Sequence, residues 1–208
     1  MDAQPADDLF AAIEAGDAAR VDALLREQGT LANARNAGGI TPLLTAVYYG
    51  KREIADLLLR AGAEVDLFAA AALGRTARLG ALLREQSARV LTHSADGWTA
   101  LHLAAFFGRE RVAATLLDRG ADVGAVAMNP LRVQPLHSAA AGGHTAVARL
   151  LLEHGADPNA RQEGGFVPLH AAAQAGNEEL YELLLASGAD QDAATDDGRT
   201  AADFRADS

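Results

Sequence analysis

The chain has no cysteine, a single lysine and only ten aromatic residues among 208 positions. Without cysteine it can form neither a disulfide framework nor a thiolate metal site, and we expect the reducing cytoplasm as its location. No apolar run approaches the roughly 20 residues of a membrane span, so we expect no membrane partner. Scarce lysine beside abundant alanine is typical of a GC-rich genome, and we expect a bacterial source.

Basic charge is also in short supply, because 28 acidic residues outnumber 18 Lys and Arg and give a formal net charge of −10. Nucleic acids require a basic footprint, so this balance argues against a nucleic-acid partner. Met1 to Pro5 lack the basic and apolar segments of a secretory signal, and we expect no export. Half of the residues are apolar, which favours one folded domain with a sizeable core.

An internal repeat fills nearly the whole chain. Four Gly-Ala pairs lie 58, 35 and 33 residues apart, at Gly62-Ala63, Gly120-Ala121, Gly155-Ala156 and Gly188-Ala189. A second phrase recurs in step with them, as Thr41-Pro42-Leu43, Thr99-Ala100-Leu101-His102, Gln134-Pro135-Leu136-His137, Val167-Pro168-Leu169-His170 and Thr200-Ala201. A period of this length predicts stacked units that can bury their apolar faces only against their neighbours.

These phrases resemble the ankyrin repeat, whose signature is Thr-Pro-Leu-His-x-Ala-Ala, then Gly, Leu-Leu and Gly-Ala-Asp. The resemblance runs from about Asp7 to Phe204 and implies an all-α solenoid, with two short helices and a short hairpin finger per repeat. The residues support each part independently. Thr41 can cap a helix, Pro42 suits its first turn, and apolar residues at i, i+3 and i+4 give the second helix one buried face.

We therefore predict a single ankyrin-repeat domain over residues 1–208, made of seven parts. They are an N-terminal cap repeat (7–36), a repeat (37–66), a short repeat without a hairpin (67–91), a repeat (92–125), a repeat with a longer hairpin (126–160), a repeat (161–193) and a truncated C-terminal cap (194–208). No Gly-x-Thr-Pro phrase follows Asp66, so we expect a break in the row of fingers at 66–67.

The first half of the chain contains a longer duplication. Residues 9–28 match residues 67–86 at 13 of 20 positions, including a shared Leu-Leu-Arg-Glu-Gln that the ankyrin signature does not explain. We infer that a two-repeat unit was duplicated in tandem, as 9–66 and 67–124. The two units are then expected to resemble each other more closely than either resembles 126–193.

The histidines and serines do not form a catalytic or metal-binding pattern. His102, His137 and His170 hold the Leu-His position of the repeat, and the ankyrin resemblance assigns that histidine structural hydrogen bonds between fingers and helices. No His-x-x-x-His pair is present, and no serine has a matching base. We expect no metal, no cofactor and no enzymatic activity.

The scarce aromatic residues are the best candidates for a binding surface. In the ankyrin framework, the position before Thr-Pro and the two positions before the first-helix glycine face a concave groove. The predicted partner-binding residues on these positions and on the longer fingertip are Ile40, Tyr48, Tyr49, Trp98, Phe106, Phe107, Met128, Leu131 and Phe166. Aromatic side chains are enriched at binding hot spots. The alternative is that these rings fill the space of the missing hairpin or pack between repeats, and that the loop carrying Met128 and Leu131 folds back on its own repeat.

The sequence thus predicts a monomeric protein-interaction module that binds another protein through its concave groove and hairpin tips. The acidic balance favours a partner with a neutral or basic contact surface. Two alternatives remain open, namely a structural or self-assembling solenoid driven by the truncated C-terminal cap, and a non-catalytic regulatory subunit of an enzyme.

Overall fold

The computed structural model describes residues 3–206, which form thirteen α-helices. They are α1 Ala3–Ala15, α2 Ala18–Glu27, α3 Pro42–Tyr48, α4 Arg52–Arg60, α5 Leu67–Leu73, α6 Thr76–Glu85, α7 Ala100–Phe106, α8 Glu110–Asp118, α9 Pro135–Ala141, α10 Thr145–Glu153, α11 Pro168–Gln174, α12 Glu178–Ala186 and α13 Ala201–Ala206. Extended structure within 3–206 is limited to single bridges at His93–Thr99 and Ala194–Thr200.

The helices stack as antiparallel pairs in two layers. The odd-numbered helices α1 to α13 pack one on the next in an inner layer, and the even-numbered helices α2 to α12 form the outer layer. Buried leucines and alanines fill the space between the layers, and short helices such as α5 and α9 are almost entirely buried. The predicted all-α ankyrin solenoid is confirmed.

Local chemistry sets where the inner helices begin. In α3, the Thr41 hydroxyl accepts the backbone N–H of Leu44 at 3.3 Å, and Pro42 occupies the first turn. Helix α5 has no Thr-Pro phrase, and there the Asp66 carboxylate accepts the N–H of Ala69 at 2.8 Å. An aspartate cap therefore replaces the usual start in the repeat that lacks a hairpin.

Five hairpin fingers project from the inner layer, and we name them finger A (34–41), finger B (92–99), finger C (127–134), finger D (160–167) and finger E (194–200). Finger B closes with a hydrogen bond from Ser94 N to Trp98 O at 2.7 Å. The corresponding bond of finger C joins Ala127 N to Val133 O at 2.8 Å, so its tip is two residues longer.

No finger stands between helices α4 and α5, because only residues 61–66 connect them. Fingers A and B nevertheless meet across this position. A Cβ atom placed on Gly39 of finger A would lie 2.9 Å from the Cβ of Ala95 in finger B. The structure thus has no finger at residues 66–67, as the missing phrase predicts, and the two flanking fingers approach each other over that position.

This contact predicts that Gly39→Ala lowers the free energy of unfolding by about 1–3 kcal/mol, because the new methyl group meets Ala95 and the backbone φ is +78°. Gly38→Ala is the matched control, since its nearest neighbour is 3.4 Å away and its φ is not positive. Urea unfolding of both variants measures the difference. Equal stabilities would contradict the close approach of the two fingers.

The first 124 residues support the duplication that we propose from the sequence. Helix α2 begins at 18 and α6 at 76, 58 residues later, and the same offset separates α3 from α7 and α4 from α8. Gln28 and Gln86 end their helices with nearly equal angles, φ −143° and −145° with ψ 84° in both. Each is followed by a 3₁₀ turn, at 29–33 and 87–91.

The C-terminal end of the described chain is covered by α13, although its repeat lacks a second helix. The Phe204 ring is buried and lies 5.5 Å from the His170 ring and 5.7 Å from Phe166. The Arg205 guanidinium lies 4.6 Å from the ring of buried Tyr181 and donates to Glu178 at 2.8 Å. The truncated C-terminal cap therefore covers the last full repeat at these residues.

Candidate groove pocket

A histidine near the start of an inner helix fixes finger C to that helix. His102 Nδ1 accepts the backbone N–H of Thr99 at 3.2 Å, so the ring proton of the neutral form is on Nε2. Nε2 donates to the carbonyl oxygen of Val133 in finger C at 3.0 Å. Burial lowers the pKa of His102 to about 4, because the charged ring would lose its hydration. The neutral ring of His102, held by two hydrogen bonds, has the structural role that we expected.

His170 and His137 repeat this arrangement with one difference. His170 accepts the Val167 N–H at 3.0 Å and donates to Ala193 O at 2.9 Å. His137 accepts the Gln134 N–H at 3.2 Å, but its buried Nε2 has no hydrogen-bond partner within residues 3–206. Burial lowers the pKa of both rings, so neither is a cation at neutral pH.

An apolar pocket of about 470 Å³ lies between the inner helices α3, α7 and α9 and fingers B, C and D. We call it the groove pocket. Five of the predicted residues line it, namely Tyr48, Trp98, Phe106, Phe107 and Leu131. Eight further residues complete its walls: Asp96, His102, Leu103, Val133, His137, Ser138, Ala141 and Gln162.

The aromatic rings of the groove pocket pack in contact with one another. Tyr48 and Phe107 are parallel with centroids 6.3 Å apart, and Phe106 meets Phe107 edge-on at 5.2 Å. Trp98 packs against the ring of His102 at 5.6 Å. Trp98 and Phe107 are half-buried, whereas Phe106 remains 46% exposed. The half-buried rings of Trp98 and Phe107 therefore form part of the pocket wall, and the exposed Phe106 ring is accessible to a bound partner.

A polar bridge crosses the repeat that lacks a finger. The Tyr48 hydroxyl on α3 donates to the Asp96 carboxylate at the tip of finger B, at 2.8 Å. Ser94 donates to the other carboxylate oxygen at 2.6 Å. Burial, and then the charge of Asp96, raise the pKa of Tyr48 far above its ordinary value, so the hydroxyl keeps its proton. Asp96 is thereby fixed at the margin of the groove pocket.

The other predicted contact residues lie outside the groove pocket. Ile40 is half-buried against the core, Tyr49 is 52% exposed, and Met128 is 74% exposed at the tip of finger C. Phe166 lines a smaller neighbouring cavity of about 220 Å³, which shares His137, Ala141 and Gln162 with the groove pocket. The structure thus brings five of the nine predicted residues together and leaves four apart.

Sequence reasoning missed Asp96 as a component of the pocket. A turn position in a fingertip usually holds a polar residue, so an aspartate there gave no sign of a functional role. One signal was available, because the duplicated unit has Gly38 at the matching position and only the second copy gained a carboxylate.

The described residues contain neither a cluster of metal ligands nor a membrane-spanning helix. Among residues 3–206, no three His, Asp or Glu side chains lie close enough together to hold a metal ion. Within the same residues, no helix combines the length and the apolar character needed to cross a bilayer.

Comparison with known proteins agrees with this architecture. The chain matches the family model of ankyrin repeats in three copies over residues 125–195, and that of the single ankyrin repeat over 38–70 and 96–127. It is similar to the mouse protein "Ankyrin repeat and SAM domain-containing protein 6", with 36% identity over 122 residues. The match covers 59% of this chain but only 11% of the mouse protein. On its repeats, its fold and these matches, the chain belongs to the ankyrin-repeat family.

Proposed function

We propose that this protein binds another protein through the groove pocket and the neighbouring tips of fingers B, C and D. The observation that carries the proposal is the apolar pocket itself, with Phe106 46% and Leu131 53% exposed at its margin. Ankyrin repeats generally mediate protein–protein interaction, which supports the same conclusion. Clustered apolar side chains on a folded surface mark interaction sites more often than isolated ones do.

The pocket favours contact over catalysis. Its two histidines each use Nδ1 to accept a backbone N–H, and burial disfavours the charged form of both rings. Its single carboxylate is held by two hydroxyl groups. No base stands beside a free nucleophile among these lining residues, so a binding role agrees better with the geometry.

We include a monomeric state and a cytoplasmic setting in the proposal. Phe204 of the C-terminal helix α13 and Tyr181 of α12 are both buried, which weakens the main reason for self-assembly through that end. The lack of cysteine agrees with a reducing compartment.

The proposal is tested by filling the groove pocket with a side chain of the protein itself. Ala141 is exposed at the end of α9 and lines the pocket, so Ala141→Gln should obstruct it without disturbing the core. Ala146→Gln on the outer helix α10 is the matched control, because Ala146 is also exposed. We expect Ala141→Gln to abolish recovery of partners on immobilised protein, with both variants melting at the wild-type temperature. Unchanged recovery by Ala141→Gln would refute binding at this groove.

A further inference from the structure

The groove pocket has one fixed charge. Of its lining side chains, Asp96 is the only carboxylate, and no arginine or lysine lines the pocket. Asp96 accepts hydrogen bonds from Tyr48 and Ser94, which are neutral donors, and forms no ion pair within residues 3–206. The two hydroxyl groups therefore fix the orientation of the carboxylate, but neither of them neutralises its negative charge.

No described cation lies within ion-pair distance of this carboxylate. Arg132 follows the lining residue Leu131, but its exposed side chain is not part of the pocket wall. Glu163 lies at the tip of finger D beside the lining residue Gln162 and is also exposed. The whole chain has a formal charge of −10, so its long-range electrostatic field is negative, like the local charge of Asp96.

We propose that the segment bound in the groove pocket presents an arginine or lysine next to a large apolar side chain. This inference rests on the proposed function and specifies its partner. The cation would pair with Asp96, and the apolar side chain would lie against Phe106 and Leu131. Trp98 and Phe106 add aromatic surface that attracts a cation.

Other occupants fit the pocket less well. An acidic segment would bring a second negative charge to Asp96 without a cation in the wall to balance it. A purely apolar segment would remove water from a carboxylate and leave it without a counter-charge, which costs free energy. A basic and apolar pair satisfies both the carboxylate and the rings, and complementary charge also speeds encounter.

The pocket contains its own reporter, because Trp98 is the single tryptophan of the chain and lines the wall. We would select peptides from a random displayed library on the immobilised protein, after counter-selection on Ala141→Gln. Tryptophan-free copies of the selected peptides would then be titrated while Trp98 fluorescence is recorded. We expect the selected sequences to share Arg or Lys beside Leu, Met, Phe or Tyr, and Trp98 emission to change as they bind.

The charge pair is tested by a double-mutant cycle between protein and peptide. Asp96→Asn removes the charge but keeps an oxygen acceptor for Tyr48, and Asp118→Asn, exposed on outer helix α8, is the matched control. We expect about a tenfold loss of affinity for Asp96→Asn and none for Asp118→Asn. Replacing the peptide's basic residue with citrulline or glutamine should cause a similar loss in wild type and little further loss in Asp96→Asn.

The outcomes separate this inference from the proposed function. Peptides that need an open groove but contain no shared basic residue, or that bind Asp96→Asn as tightly as wild type, would overturn the charge pairing and leave groove binding intact. A library that yields no peptide once those binding Ala141→Gln are removed would overturn both. The citrulline peptides test the pairing on unaltered protein, so a misfolded Asp96 variant would not decide the result.

Discussion

Acidification from about pH 7.5 to about pH 4.5 is expected to lower the free energy of unfolding by about 2–3 kcal/mol through His102 alone. The ring is fully buried, and its pKa is about 4 in the folded protein against an ordinary value of 6.5. Each pKa unit corresponds to about 1.4 kcal/mol of differential interaction. His137 and His170 have their pKa lowered by the same cause and should add to the loss.

The sign follows from which state binds the proton more strongly. Below about pH 6.5, His102 becomes protonated in the unfolded chain, whereas in the folded protein it stays neutral until about pH 4. The unfolded state therefore gains stability as the pH falls through this window, and the contribution of His102 is fully present only above it. Carboxylates also titrate in acid, so the effect of this histidine has to be isolated by comparing variants.

Urea unfolding at several pH values provides that comparison. His102→Gln should be less stable than wild type at neutral pH, because it loses the bonds to Thr99 and Val133, but its stability should fall less steeply below pH 6.5. His154→Gln is the matched control for replacing a histidine outside the core, since His154 is exposed at the end of α10. Equal slopes for wild type and His102→Gln would rule out a lowered histidine pKa.

Truncating Phe106 is expected to weaken partner binding thirtyfold to a thousandfold, about 2–4 kcal/mol, while the melting temperature stays nearly constant. The ring is 46% exposed in the free protein, so its loss opens no large cavity in the core. Trp98→Ala should behave differently. Its ring is half-buried against His102, and we expect about 2–4 kcal/mol of lost stability as well as lost binding.

Leu91→Ala is the control for Phe106→Ala. Leu91 is 57% exposed, but it lies at the end of the 3₁₀ turn after α6 and not in the groove pocket. Titration calorimetry gives the affinity of all three variants, and circular dichroism gives their melting temperatures. Together, these measurements distinguish a binding role of the Phe106 ring from a role in the core. Should Phe106→Ala unfold the protein as strongly as Trp98→Ala, both rings would belong to the core, and the groove would lose its main contact residue.

Local signals in the sequence were enough to predict the helix pairs, because caps and turn glycines act over a few residues. The Thr99 hydroxyl caps α7 by accepting the N–H of His102, three residues away. Gly108, just after the end of α7, turns the chain away from the helix with φ +66°. The capping residue varies between repeats, but a glycine with positive φ follows each of the inner helices α3, α5, α7, α9 and α11, at Gly50, Gly74, Gly108, Gly143 and Gly176. The fold was therefore readable from the sequence.

The composition of the groove pocket could not be read in the same way, because it depends on neighbours far apart in the chain. Tyr48 and Asp96 are 48 positions apart, and nothing local to either indicates their hydrogen bond. Tyr49 and Phe107 occupy matching positions of the duplicated units, yet Tyr49 is exposed and Phe107 is stacked on Tyr48. The same motif position thus has a different role when its neighbouring repeat has a finger than when it has none.

The finger row has one joint that differs from the others. Backbone hydrogen bonds link finger B to C, C to D and D to E, through Met128 N to Gly97 O at 2.8 Å, Glu163 N to Leu131 O at 3.1 Å and Asp196 N to Gly164 O at 2.9 Å. Finger A approaches finger B at Gly39 and Ala95, and beside this contact the side-chain bond from Tyr48 to Asp96 joins helix α3 to finger B.

In a linear array, stability is the sum of unit and interface terms, so the weakest interface sets where the array separates into cooperative blocks. Opening at the A–B joint would detach Tyr48 from Asp96 and remove Tyr48 from the wall of the groove pocket. A bound segment that contacts Tyr48 together with the rest of the wall would hold the joint closed. Occupancy of the pocket would therefore slow backbone amide hydrogen exchange throughout α1 to α4, including helices that the bound segment does not contact.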